Sequence, residues 1–184
     1  MKKKREIRLF HVLIGVLLIL SMHILYEGLF EDIIPHSRQL FWSHEAFIKE
    51  AAPTGFQKEL PESAHDVKYY VYKGMLTNKS GYYVKLSAED YENIKQMRYE
   101  SYSDEEEMGG GYRYKGDSKK YVSLEVLEEN RIDFLNKIVS VEGMNQYYFL
   151  CYYIHEGSDM YSYDGVICND ETCEMIEFEF YGPN

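Results

Sequence analysis

Residues 146–181 read QYYFLCYYIHEGSDMYSYDGVICNDETCEMIEFEFY, and this stretch contains three strand-like runs separated by short polar turns. The first run, Gln146 to His155, is apolar on both faces, which favours a central strand. In the last run, Cys173 to Tyr181, apolar residues alternate with glutamates, a period of two that is typical of a strand with one wet face. Because the turns are short, the successive strands are expected to pair as an antiparallel meander.

A hairpin is predicted upstream of this meander. Residues 66–76 and 82–86 alternate with the same period of two, and residues 77–81 between them are turn formers. Two helices are predicted as well: one begins at a capping Ser87, and the other covers residues 123–139. Together these segments predict an α+β fold, in which one antiparallel sheet, made of the hairpin plus the three-stranded meander, carries two helices on one face.

The amino terminus predicts a membrane anchor. Residues 9–26 contain no Asp, Glu, Lys or Arg and follow five basic residues. At about 1.5 Å per helical residue this run reaches ~27 Å, close to the ~30 Å hydrocarbon core of a bilayer. We therefore expect an uncleaved transmembrane signal anchor, with a cleaved signal peptide and a buried core helix as the alternatives.

The anchor sets the expected domain organisation. A basic cytoplasmic tail covers residues 1–8, the transmembrane helix covers 9–26, a stem with an amphipathic helix covers 27–61, and one α+β domain covers 62–184. The apolar residues of the stem recur at helical spacing. This helix is expected either at the membrane surface or packed on the domain.

The charge of the chain restricts its partners. The whole chain carries −11 and residues 1–26 carry +4, so residues 27–184 carry −15. Since Lys and Arg are retained on the cytoplasmic side of a membrane, we expect a single-pass cell-membrane protein whose acidic carboxyl-terminal domain is extracytoplasmic. Such a domain repels the phosphate backbone, so nucleic acid is not expected among the partners.

Two short stretches carry a resemblance to known proteins. LPESAHDVKYY over residues 60–70 and LSAEDY over residues 86–91 resemble small membrane-anchored or lipoprotein-like extracytoplasmic domains of Gram-positive bacteria that have no assigned function. The resemblance implies a location at the cell surface and transfers no catalytic residue. The lipid-attachment cysteine of the lipoprotein members is missing here, which implies attachment through the chain's own helix.

Tyrosine is the unusual component of the composition. The chain has 19 tyrosines, and aromatic residues make up 16% of it. Aromatic rings favour strands, where they form cross-strand pairs, and tyrosine also suits a wet sheet face that contacts a ligand. The simpler interpretation is a β-rich domain with aromatic pairs, and the sharper one is a tyrosine surface that binds sugar or peptide. The candidate binding residues are Tyr70, Tyr72, Tyr83, Tyr112 and Tyr114.

Three cysteines lie late in the chain. Cys168 and Cys173 flank a polar four-residue turn, where a hairpin can bring their side chains together, and an extracytoplasmic compartment permits disulfides. A Cys168–Cys173 bridge and free thiols are both left open, with Cys151 as a buried thiol. A metal site is the weaker alternative, because the C-x4-C spacing has no second ligand pair.

No motif predicts catalysis. The nucleophile motif G-x-S-x-G is absent, and neither a catalytic residue nor a cofactor is predicted. The sequence therefore favours a module that binds a protein, a peptide or a cell-wall component, through the tyrosine-rich sheet face or the acidic loop at residues 104–107. One alternative is an extracytoplasmic hydrolase, in which His65 and His155 converge at one sheet edge. The other is a regulatory subunit of another membrane protein.

Overall fold

One antiparallel sheet dominates the structure, a computed structural model that describes residues 15, 16, 18 and 21 and the ranges 36–51, 55–102, 111–139, 141–156 and 159–183. The described residues form seven strands: β1 (His36–Arg38), β2 (His65–Lys73), β3 (Asn78–Lys85), β4 (Gly111–Tyr121), β5 (Tyr148–Glu156), β6 (Met160–Asn169) and β7 (Glu174–Pro183). Their order across the sheet is β1-β2-β3-β7-β6-β5-β4, and each neighbouring pair is antiparallel. The last strand of the chain, β7, therefore lies at the centre of the sheet.

Alternation along β7 distinguishes the two faces of the sheet. Phe178 and Phe180 are buried on one side, called here the aromatic face. Glu177 and Glu179 point to the other side, called here the acidic face. Gly165 of β6 lies opposite Phe178, and a Cβ at that position would come within 2.9 Å of the Phe178 ring. Only glycine therefore allows the two central strands to pack here without displacing that ring.

Short helices cover both faces of the sheet. Those that the structure describes are α1 (His44–Ala51), α2 (Ala88–Ser101), α3 (Leu124–Glu129) and two 3₁₀ helices, Asp133–Lys137 and Val141–Gln146. The first two pack on the acidic face, where Phe47 and Tyr91 are buried. The other three pack on the aromatic face, where Leu127 and Phe134 are buried. The sheet is therefore the middle layer of three.

The predicted α+β fold class, with two helices on one face of the sheet, is wrong. The structure is mostly a single antiparallel sheet, and its few helices lie on both faces. Residues 123–139, predicted as one helix, form α3 and then a 3₁₀ helix. Arg131 explains the break, because its φ of 60° is left-handed and cannot continue a right-handed helix. Tyr112 and Tyr121 belong to the 11-residue edge strand β4.

The transmembrane signal anchor predicted over residues 9–26 is corrected as well. No helix among the described residues is long and apolar enough to cross a membrane. A span needs about 20 consecutive apolar helical residues. Within the predicted anchor the structure describes residues 15, 16, 18 and 21, and its other residues and the tail over 1–8 lie outside the described residues.

The segment predicted as a stem contributes to the packed unit. The β1 strand pairs with the end of β2, where His36 lies opposite Lys73. Phe47 of α1 is fully buried, and its ring stacks on Tyr69 with the centroids 4.8 Å apart. Of the two alternatives for the stem helix, the structure shows the one packed on the domain. The packed unit therefore includes residues that precede the predicted domain start at 62.

Candidate ligand-binding pocket

A cavity of 480 Å³ opens on the acidic face, between the end of α2 and the middle of strands β6 and β7. This volume suits a single side chain or a small molecule. Phe56 and Tyr153 supply rings to its wall. The polar residues of the lining are Arg98, Ser101, Tyr102, Asp164, Glu177 and Glu179.

A buried ion pair forms one wall of the pocket. Arg98 Nε donates to Glu177 Oε1 at 2.8 Å, and Arg98 Nη2 donates to the other carboxylate oxygen, which makes a two-pronged pair. The side chains of Arg98 and Glu177 are only 12% and 2% exposed. The backbone N–H of Gln57 donates to Glu177 Oε2 at 3.1 Å. Because these two charges satisfy each other, the pair holds α2 on the sheet.

Two carboxyl groups face each other at the centre of the pocket. Asp164 of β6 and Glu179 of β7 are direct partners in the strand ladder, which places their Cβ atoms about 5 Å apart. The Tyr102 hydroxyl donates to Asp164 Oδ2 at 2.6 Å. Among the described residues, Glu179 has neither a hydrogen bond nor an ion pair.

The protonation of Glu179 reflects this position. Its burial, and then the charge of Asp164, raise the pKa of Glu179 to about 7. Each effect disfavours the ionised carboxylate, because burial removes its water and Asp164 repels it. A cation in the pocket would act in the opposite direction and restore the charged form. Glu179 is therefore the acid of this pocket whose charge is least compensated by the described part of the chain.

A second cavity, of 350 Å³, adjoins the first at Glu179, which lines both. It lies over the turn between β2 and β3. Lys73 brings a positive charge to its wall and forms no ion pair within the described part of the chain. Two opposite charges therefore lie in adjoining cavities without pairing with each other. The lining of the second cavity is completed by Ala51, Gly74, Met75, Asn78, Ser80 and Tyr181.

The predicted tyrosine surface lies mostly in the core of the aromatic face. Tyr70 and Tyr83 are 9% and 7% exposed, and Tyr72 and Tyr114 are partly buried against the same core. The side chain of Tyr112 lies outside the described residues. The structure thus brings four of the five candidates to one face, and their binding role stays a prediction. Buried rings present little area to a partner, so the pocket on the acidic face is the stronger candidate site.

Cys151, Cys168 and Cys173 are free thiols, which is one of the two alternatives left open for Cys168 and Cys173. Cys168 lies opposite Met175 in the strand ladder, while Cys173 stands in the turn with a left-handed φ of 54°. Burial raises the pKa of Cys168 to about 12, which keeps its thiol protonated and unreactive at neutral pH. No group of three or more His, Cys, Asp or Glu among the described residues is arranged to hold a metal ion.

His65 and His155 do not converge as the hydrolase alternative requires. They lie on β2 and β5, which three other strands separate, so the distance across the sheet alone is roughly 19 Å at ~4.8 Å per strand. The exposed His65 places its Nδ1 2.9 Å from the Ser63 carbonyl oxygen, and His155 stacks on Tyr153. The acidic loop at residues 104–107 lies outside the described residues.

Sequence reasoning missed the pocket because it cannot show what covers a sheet face. Glu177 and Glu179 alternate with apolar residues, and that pattern predicts a solvated face. The structure buries Glu177 under α2, whose Arg98 is 79 residues away in the chain. One signal was present: Asp164 is the only charged residue of β6. A lone acid inside an otherwise uncharged strand indicates a special environment.

No protein-family model matches the chain, and no curated protein or solved structure matches it either. The resemblance of residues 60–70 and 86–91 to Gram-positive extracytoplasmic domains therefore stays a prediction. The function has to be argued from the pocket.

Proposed function

We propose that the protein is a binding module that takes a cationic side chain, Lys or Arg, of a peptide or protein partner into the pocket on the acidic face. The observation that carries this proposal is Glu179, a half-buried carboxyl group without a cationic partner among the described residues. A bound ammonium or guanidinium group would offset the cost of burying its charge.

The shape of the pocket supports the same class of ligand. Lys and Arg side chains combine an apolar stem with a charged head. The rings of Phe56 and Tyr153 offer apolar surface to the stem, and the carboxyl groups of Asp164 and Glu179 face the head. A cation beside an aromatic ring gains additional attraction from the ring's electron-rich face.

The charge of the whole chain favours a basic partner. The chain carries −11 at neutral pH. Such a field attracts cationic ligands over a distance of about one Debye length, roughly 8 Å at physiological salt, and raises their rate of association. This long-range attraction helps any basic partner, while the pocket supplies the specific contact.

The proposal is tested by titrating the full chain with two peptides, acetyl-Ala-Lys-Ala-amide and the same peptide with norleucine in place of lysine. Norleucine keeps the apolar stem and removes the charge. We expect the lysine peptide to bind about tenfold more tightly, which corresponds to about 1.4 kcal/mol. Isothermal titration calorimetry at pH 8, where Glu179 is ionised, measures both affinities.

A pair of variants locates the effect. Glu179→Gln is expected to remove most of the preference for lysine, because the amide keeps the shape and loses the charge. Glu171→Gln changes an exposed glutamate in the β6–β7 turn, outside the pocket, and serves as the matched control. Equal affinities of the wild-type protein for the two peptides, or an equal loss in both variants, would contradict the proposal.

A further inference from the structure

The two cavities form one groove along β7. Glu177, Glu179 and Tyr181 follow each other at every second position of that strand, so they face the same side. Glu177 lines the first cavity, Tyr181 lines the second, and Glu179 lines both. At about 3.3 Å per residue, this row is roughly 13 Å long, the length of about four residues of an extended peptide.

The charges and donors change along this groove. Carboxyl groups of Asp164 and Glu179 occupy its first part, and the Lys73 ammonium lies in its second part. The ladder pairs Val71 with Ser80 and Ser80 with Glu179, so Lys73 stands two strands across and two residues along from Glu179. That offset corresponds to roughly 12 Å between their Cα atoms.

The second cavity has the groups that bind a carboxylate. Besides the Lys73 ammonium, the Ser80 hydroxyl and the Asn78 amide are hydrogen-bond donors in its lining. Gly74 and Met75, at the tip of the β2–β3 turn, line the same cavity. The turn closes this end of the groove, so a bound peptide is expected to end there. The carboxyl terminus of such a peptide supplies the carboxylate.

Resting on the proposed function, we propose that the groove binds the carboxyl terminus of a peptide whose last or next-to-last residue is Lys or Arg. The basic side chain lies between Asp164 and Glu179, and the terminal carboxylate lies against Lys73 and Asn78, which are direct partners in the strand ladder. The extent of the groove matches this arrangement, since a lysine side chain and one or two residues of backbone together span the separation of the two charged parts.

The test compares acetyl-Ala-Ala-Lys with a free carboxyl group and the same peptide with a carboxyl-terminal amide, both titrated into the full chain. We expect the free acid to bind about tenfold more tightly than the amide. Lys73→Met is expected to abolish this difference and to keep the preference for lysine over norleucine. Glu179→Gln is expected to abolish the preference for lysine over norleucine and to keep the preference for the free acid over the amide. Lys68→Met changes an exposed lysine of the same strand outside both cavities and is the control.

The outcomes separate this inference from the proposed function. If the amide binds as tightly as the acid while lysine is still preferred over norleucine, the carboxylate site is wrong and the cation pocket stands. If lysine is not preferred, or if no peptide binds, the proposed function fails and this inference fails with it. A thermal melt of each variant confirms that it is folded. Lys73→Arg keeps the positive charge, so this variant is expected to show the preference for the free acid that Lys73→Met loses.

Discussion

A single carboxyl group, Glu179, connects the pocket with the stability of the protein. Its pKa in the folded protein is about 7, against 4.5 for an unperturbed glutamate. Between these two values the folded state binds more protons than the unfolded state, so stability falls as the pH rises through this window. Below about pH 4.5 the group is protonated in both states and has no such effect.

Glu179→Gln is therefore expected to stabilise the protein at high pH. At pH 8 the substitution removes a half-buried charge, and we expect the free energy of unfolding to rise by about 1–2 kcal/mol, a value reduced for the partial exposure of the group. At pH 4.5 we expect little change. Urea unfolding of both proteins at the two pH values measures this, and an effect of equal size at both would show that burial of the charge is not the cause.

Other single residues show why composition alone did not find the site. Tyr70 and Tyr83 stand out as candidates because tyrosine is abundant, yet their rings are needed to fill the core of the aromatic face. Glu177 and Glu179 stand out less, because glutamates alternating with apolar residues are ordinary on a wet strand. What distinguishes Glu177 is its ion pair with Arg98 of α2, and what distinguishes Glu179 is its place in the cavity beside α2; no local pattern contains either feature.

At the scale of elements, α2 is held on the sheet by the ion pair between Arg98 and Glu177. Removing one partner leaves a buried charge without compensation, which costs more than the pair itself contributes. We expect Arg98→Met to lower the free energy of unfolding by about 3 kcal/mol. The double variant Arg98→Met with Glu177→Met is expected to cost less than Arg98→Met alone, because neither charge is then left behind.

Chemical denaturation of both single variants and the double variant completes this cycle. Asn93→Met, on the exposed side of α2, is the control for the effect of methionine on the helix itself. Additive losses in the cycle would contradict a direct coupling between the two side chains.

Local patterns did find several elements. The predicted hairpin of β2 and β3 forms, but its turn lies at residues 74–77, because residues 78–81, predicted as turn, pair with β2 as part of β3. The Ser87 hydroxyl accepts the Asp90 N–H at 3.2 Å, as the capping pattern predicts. These features depend on neighbours in the chain. The single helix predicted over residues 123–139 is wrong. The left-handed residue Arg131 ends α3, and shorter helices bury the apolar residues that the pattern assigned to one long helix.

At the scale of the molecule, sequence patterns did not predict the order of the strands or the layers around them. Placing β7 at the centre joins the hairpin to the meander, and this pairing links β3 with a strand about 100 residues later in the chain. That single pairing creates the acidic face on which α1 and α2 pack. The pocket depends on a further long-range contact, that of Arg98 in α2 with Glu177 in β7, which explains why no contiguous motif marks it.

The residue at which the domain begins also depends on contacts between distant parts of the chain. Phe47 of α1 and Phe56 pack on Tyr69 and Tyr82 of the sheet, so the aromatic core of the acidic face is supplied in part by residues before 62. A chain of residues 62–184 lacks both phenylalanines. Since removing one buried phenylalanine costs about 3–5 kcal/mol, losing two approaches the whole stability of a typical domain.

We therefore expect residues 62–184 alone to lack a cooperative thermal transition, whereas residues 36–184, which include β1 and α1, retain one. Circular dichroism in the near ultraviolet, which reports packing of the aromatic rings, distinguishes the two chains. If residues 62–184 melt as cooperatively as residues 36–184, α1 packs on the domain but is not needed for its folding. In that event Phe56 would not be needed to shape the pocket, and the shorter chain would bind the lysine peptide with unchanged affinity.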